Sequence, residues 1–182
     1  VFIKAQVIPN NQTLPTPPSR AVIPPPSAYG VTATINYVRS YEAGKPFTSE
    51  SDMTDPIRSV QEVKQVTQYI DGLGREIQSV SKGTSISGKD LVSPVVYDAF
   101  GRKAVVYMPY VSSASTGELR LNAFEEQKNF MQAQYQGEQV FYAQTDYENS
   151  PLNRVVKNYA PGNSWGGQGV GVGMAYLLNN TA

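Results

Sequence analysis

The 182 residues include no cysteine and no histidine. Those two absences remove thiolate and imidazole metal sites, cysteine nucleophiles and every catalytic triad with a histidine base. Charge is scarce as well: 16% of residues are charged, against about 25% in a typical domain. The 15 basic and 15 acidic residues cancel, and the basic ones are scattered. With no basic run to track phosphates, nucleic acid is not an expected partner, and neither is an anionic membrane surface. No apolar run approaches the length of a membrane span. A signal-peptide pattern is also missing and the first residue is Val1, so the sequence reads as a processed chain or an excised piece of a longer one.

What the chain does have is tyrosine, glycine and proline, at 12, 15 and 13 residues. The first two suit a strand-rich, turn-rich fold. Seven prolines fall between Pro9 and Pro26, which sets residues 1–30 apart as an extended arm. It reads first as a linker; the sharper reading is a strap lying on the domain, with Phe2-Ile3 and Val7-Ile8 apolar enough to dock. Residues 31–182 read as one β domain, long enough to bury a core.

The stretch from Val66 to Tyr110 contains one small device twice. The first copy ends Asp71-Gly72-Leu73-Gly74-Arg75, the second Asp98-Ala99-Phe100-Gly101-Arg102. An aspartate at the first position of a turn accepts backbone N–H groups two residues on, and glycine takes the left-handed conformation that closes a hairpin through a bulge. Leu73 and Phe100 are expected to fold back onto the sheet, and Arg75 and Arg102 to pair with the turn carboxylate or lie over a tyrosine ring. A third copy replaces each part with a chemical substitute: Ser150-Pro151-Leu152-Asn153-Arg154. Ser150 is the acceptor, Pro151 has its φ preset, and Asn153 tolerates positive φ.

Alternation places a half-buried strand over Val31–Tyr41. Residues 42–59 read as a solvated loop; Asp52 and Asp55, without an EF-hand loop, are weak calcium ligands. Strands are predicted at Val63–Ile70 and Arg75–Val80 around the first turn, and at Leu91–Tyr97 and Arg102–Met108 around the second. Pro94 implies an edge or bulge. Asn122–Gln136 is the one helix, capped by Asn122 with Glu125 three residues on, stopped by Gly137, and apolar along Phe124, Met131 and Tyr135 with Phe130 beside them. Strands at Glu138–Tyr147 and Arg154–Tyr159 bracket the third turn. The run Gly169-Val170-Gly171-Val172-Gly173 lacks nucleotide-loop spacing and reads as a glycine-thinned strand or hinge. Met174–Leu178 reads as a last strand. The fold class is therefore mostly β, antiparallel hairpins with one amphipathic helix packed on the sheet.

Glycosidases need only two acids, so Asp71 and Asp98 are candidates by residue type. Their position in the turns explains them better. Tyrosines with Trp165 suit a sugar platform or equally a strand surface. Asn11-Gln12-Thr13 and Asn179-Asn180-Thr181 match the glycosylation sequon. No cofactor or metal is expected.

The Tyr-Asp-x-x-Gly-Arg signature resembles the YD repeat of the RHS family of large secreted bacterial proteins. In order, Asn36-Tyr37-Val38-Arg39, Tyr69 to Arg75, Ser93 to Arg102, Tyr107-Met108-Pro109-Tyr110, Ser150 to Arg154 and Ala160-Pro161-Gly162-Asn163-Ser164-Trp165 are similar to an N-terminal domain of uncharacterised function that precedes the repeats in Bacteroidetes-type RHS proteins. The likeness runs from about Val31 to the end. Ile70 between Tyr69 and Asp71, and the third copy without Asp or Gly, depart from a uniform repeat. The resemblance implies a secreted or cell-surface structural domain, non-catalytic, that starts or caps a β-sheet shell built by the rest of its own chain, in some members around a toxin. The alternative is an adhesion or assembly module that binds glycan, other copies or a cell-surface partner. An enzyme is the disfavoured third reading.

Overall fold

A computed structural model describes residues 16–30 and 35–177. The chain is mostly β, with every strand pair antiparallel, and it divides into two compact units.

One unit comprises Pro25–Val95 and Met108–Met131. It holds β1 (Asn36–Ala43), a short helix α1 (Glu50–Met53), β2 (Val63–Ile70), β3 (Glu76–Ser81), β4 (Leu91–Pro94) and β6 (Tyr110–Val111). The sheet order is β1-β2-β3-β4-β6. Alternation in β2 buries Val63, Gln65, Thr67 and Tyr69 on one face, where Val80 and Val92 join them. Helix α2 (Ala123–Gln134) buries Ala123, Phe124, Gln127 and Met131. Its Phe130 ring lies 6.4 Å from Tyr110, and Phe124 lies 6.3 Å from Tyr29. Burying Phe124 and Met131 is worth roughly 1.5–3 kcal/mol each. Burial pushes the Tyr29 phenol up to about 12.

The other unit comprises the described parts of Val1–Pro24 and Gln132–Ala182, with Val96–Tyr107. Its sheet is ordered β5-β7-β8-β9, from β5 (Val105–Tyr107), β7 (Tyr142–Tyr147), β8 (Val155–Tyr159) and β9 (Val172–Gly173). Tyr107, Val140, Phe141 and Tyr142 form its apolar core. Arm residues 16–24 belong to this unit. Arg20 N–H donates to the Gly167 carbonyl at 2.8 Å, and Ile23 N–H donates to the Tyr142 hydroxyl at 2.9 Å. Glycine is needed at 167 because an added Cβ would stand 2.8 Å from the Cβ of Pro18. Phe2-Ile3, Val7-Ile8 and both sequons lie outside the described residues, as do residues 31–34.

Several expectations need correcting. The second turn does not join two paired strands: β4 pairs with β3 and β6, whereas β5 pairs with β7 in the other sheet. The strands expected on either side of it shrink to Leu91–Pro94 and Val105–Tyr107. Pro94 follows the two residues that β6 pairs, so its missing N–H costs no ladder bond on that side. The first strand of the unit is more exposed than half-buried, with Tyr37 and Val38 both largely open. The last strand is Val172–Gly173, inside the glycine run, and 174–177 carry no strand. Glu138–Tyr147 becomes strand only from Tyr142, because Asn163 takes the backbone of Gly137 and Gln139 and Gly162 N–H takes the Val140 carbonyl.

Buried polar side chains that fasten backbone account for much of the loop structure. Gln78 accepts from Arg120 N–H at 2.8 Å and donates to the Arg120 carbonyl at 3.0 Å. Asn163 accepts from Gln139 N–H at 2.9 Å and donates to the Gly137 carbonyl at 2.8 Å. Asp90 accepts from Gly83 N–H at 2.9 Å and from Gly117 N–H at 2.8 Å. All three residues are fully buried. Removing such an acceptor leaves a buried donor unpaired, at roughly 1–3 kcal/mol per group. Asp90→Ala, which orphans two donors, is therefore expected to lower unfolding free energy by roughly 2–4 kcal/mol. A urea titration checks this, and a loss under about 1 kcal/mol would mean that water replaces the carboxylate.

Candidate functional site

The three signature turns repeat one small arrangement of acceptor side chain and backbone N–H. In the first, Asp71 N–H donates to the Arg75 carbonyl at 2.8 Å and Gly74 N–H to the Asp71 carbonyl at 3.0 Å. Asp71 Oδ1 accepts from the N–H groups of Leu73 and Arg75, each at 2.9 Å, while Oδ2 accepts from Arg75 Nε at 2.9 Å. The second turn repeats this bond for bond. Asp98 Oδ1 accepts from Phe100 and Arg102 N–H at 2.9 Å, and Oδ2 from Arg102 Nε at 2.7 Å. Gly74 and Gly101 stand at φ 77° and 76°, in the left-handed region where a Cβ is strained.

The third turn departs in one respect that the sequence reading did not foresee. Ser150 Oγ does accept from Leu152 N–H at 3.2 Å, and Asn153 is the only described non-glycine residue at positive φ, 51°. The carboxylate that holds Arg154, however, is Glu148: Nε and Nη2 reach its two oxygens, each at 2.8 Å. Glu148 N–H closes the loop on the Arg154 carbonyl at 3.0 Å. A serine cannot neutralise a guanidinium, so an acid two residues upstream does so, and glutamate has the length for it. That need was the available signal: an arginine in this slot without an aspartate calls for the nearest preceding acid.

Leu73, Phe100 and Leu152 do not fold back; they are 78%, 80% and 69% exposed. The reason lies in the same bonds. Each of these residues turns its N–H inward to the acceptor side chain, which directs its own side chain away.

Asp98, Gly101, Arg102, Ser150, Asn153 and Arg154 lie in one unit, and Asp71, Gly74 and Arg75 in the other. Within the first group the two turns meet. Arg102 Nη1 donates to Asn153 Oδ1 at 2.9 Å, and its guanidinium lies 4.2 Å from the Tyr147 ring and 4.9 Å from Phe100. Arg154 lies 4.8 Å from the Tyr176 ring.

These bonds set the electrostatics. The Asp71 carboxyl is held below its usual value, first by the Arg75 N–H and then by the Arg75 side chain. At Asp98 burial pushes upward, but the bonds from Arg102 and Phe100 together outweigh it and the group is also lowered. Arg154 and Ser150 bring Glu148 down to about 2. A general acid needs the opposite shift, so these carboxylates carry no proton to give near neutral pH.

Further polar groups gather under the arm. Arg20 lies 4.0 Å from the Tyr159 ring, whose hydroxyl donates to Asp146 Oδ2 at 2.8 Å. Burial, then that bond, raises the Tyr159 phenol. In the other unit an open hollow is lined by Arg58, Ser59, Lys82 and Ser85. Both of its cations are engaged, Arg58 with Asp52 and Glu62, and Lys82 with the Pro56 carbonyl at 2.8 Å. Asp55 accepts from Ile57 N–H. Among the described residues no three acids are gathered as a metal site would need.

A family model described as a domain of unknown function, DUF6443, matches residues 40–178. No curated protein matches this chain, and no solved structure does.

Two outcomes follow from the turn geometry. No atom lies within 4 Å of a Cβ built on Gly74, so Gly74→Ala meets only backbone strain, about 1 kcal/mol; Asn153→Gly relieves strain but gives up the bond from Arg102 Nη1, and is expected about 0.5–1 kcal/mol less stable than the parent. Chemical denaturation of the two variants measures both. Glu148 falls from 4.5 to about 2 on folding. Its contribution is thus complete above pH 4.5 and is lost as pH drops through about 2. An NMR titration should place the Glu148 carboxyl near the lower value, and Arg154→Gln should return it most of the way to the upper. An unmoved midpoint would show that Arg154 is not its partner in solution.

Proposed function

We propose, from the premise that this chain belongs to the DUF6443 family of domains of unknown function, that it is a non-catalytic structural domain of a secreted or cell-surface RHS/YD-repeat protein. In this reading it starts or caps the β-sheet shell formed by the repeats, and its main partner is the remainder of its own chain. The observation that supports it is the reversal with one bonding pattern at Asp71–Arg75 and Asp98–Arg102. A repeating unit carries its own corner chemistry in that way, and stacked units need a terminal element to cover the first open edge.

A second reading is favoured by the exposed aromatic and aliphatic side chains at Phe100, Leu152, Trp165 and Tyr176. Such side chains suit a surface that binds glycan or another protein chain. A glycan array with a sizing column separates the two readings: a strictly monomeric chain that retains no glycan removes the second.

The first reading predicts further Tyr-Asp-x-x-Gly-Arg units beyond Ala182 in the full gene. It also predicts that deleting these 182 residues lowers the denaturation midpoint and protease resistance of those repeats. Repeats that are equally stable without the domain would remove the capping role.

A further inference from the structure

Sheet edges in this chain are treated unequally. The four-stranded sheet ends in β5 and β9, of three and two residues, and one end of the five-stranded sheet is β6, of two. The remaining edge, β1, has eight residues. It pairs with β2 in an unbroken register from Asn36↔Ile70 to Ala43↔Val63. Short strands, bulges, proline and lysine make an edge unfit for pairing with other chains. Three edges are short; β1 is long, has no bulge and holds no proline or lysine, and its two charged side chains, Arg39 and Glu42, are both paired. No backbone group pairs with its outer side among the described residues.

The side chains are equally open-ended. Tyr37 and Tyr69 form a cross-strand aromatic pair with centroids 5.9 Å apart. Tyr69 is 4% exposed and Tyr37 is 56% exposed, so the outer ring of the pair keeps an open face. Beside it Arg39 is held in place. Its Nε donates to Thr67 Oγ1 at 2.9 Å and its Nη2 to Glu118 at 3.0 Å, and the guanidinium lies 5.2 Å from the Tyr37 ring. A pinned arginine does not sweep the edge as a free lysine would.

We propose that β1 is a docking edge for one further antiparallel strand, of the same type as β2, that sets an aromatic residue opposite Tyr37. The inference rests on the structural-domain reading and names the edge through which that domain meets its neighbour. The open Tyr37 ring selects the occupant, because residues directly opposite in an antiparallel pair have Cβ atoms only about 5 Å apart. A hairpin of the β2–β3 type brings a tyrosine two residues ahead of its turn aspartate, as Tyr69 stands to Asp71. A second copy of β1 is a poorer fit. Self-pairing centred on Arg39 sets Tyr37 against Tyr41 but opposes two guanidiniums; centred on Tyr37 it pairs only Asn36–Val38, and centred on Ser40 it sets Tyr37 against Ala43.

The test uses the full chain, isotopically labelled, with a synthetic peptide of residues 63–82 as the added hairpin. Expected are saturable amide shifts confined to Asn36–Ala43 and new exchange protection on alternate residues there. Tyr37→Ser should weaken binding about three- to tenfold. Val38→Lys should weaken it further by placing a charge on the edge. Both positions are exposed, so the parent fold is retained. The proposal is overturned by an unmoved β1 at millimolar peptide. It is equally overturned by a concentration-dependent dimer through β1. So too by edge amides that are already protected in the free chain and released when the first 15 residues are removed. In the longer protein, repeats that lose stability on deletion of the whole domain but not on Val38→Lys leave the capping role standing and remove β1 as its edge.

Discussion

A carboxylate that ties the first residue of a reversal to its last is the constraint on which this structure turns. One oxygen of Asp71, or of Asp98, takes two backbone N–H groups, and the other takes the guanidinium four residues on. Charge-assisted bonds of this kind are about twice as strong as neutral ones. All of them are local, so the reversal forms whatever the flanking strands do. The second turn demonstrates this. Its internal distances match the first, yet the strands on either side of it enter different sheets. Turn chemistry fixes the corner; burial over long sequence separation decides which strands pair.

The same division explains what could be read from the sequence. Val63–Ile70 alternates over eight residues, and its strand has those bounds. The antiparallel β class, the helix near 123–134 and the turn residues follow from patterns of two to five residues. Pairing partners do not. Nothing local in Leu91–Pro94 or Val105–Tyr107 says that they belong to different sheets. Buried polar residues were illegible for the same reason. Gln78, Asp90 and Asn163 act on backbone 42, 27 and 24 residues away, and a polar residue in a strand or loop pattern reads as surface. Glu148 lay closer to reach, since Arg154 without an aspartate signals a missing anion.

Staples of this kind offset the shortness of the strands. β4 and β6 share only two register pairs, too few to hold 112–121 in place. Asp90 and Gln78 fix that stretch instead, through Gly117 and Arg120. Their amide and carboxylate groups substitute for the ladder bonds that an irregular segment lacks, and within the core each satisfied group is worth far more than an exposed one.

The lock also leaves one position of each turn unassigned. The residue between the acceptor and the positive-φ position contributes only its N–H, so the geometry asks nothing of its side chain. At Phe100 there is a local reason for an apolar ring: Arg102 lies over it and over Tyr147. Two rings against the guanidinium add cation–π attraction to its pair with Asp98. No described contact gives Leu73 or Leu152 a comparable task. Apolar side chains at most of their full exposure in all three turns therefore answer to something outside the corner chemistry. They stand at the tips of reversals that their own bonds make rigid, where a binding surface loses least conformational entropy on meeting a partner.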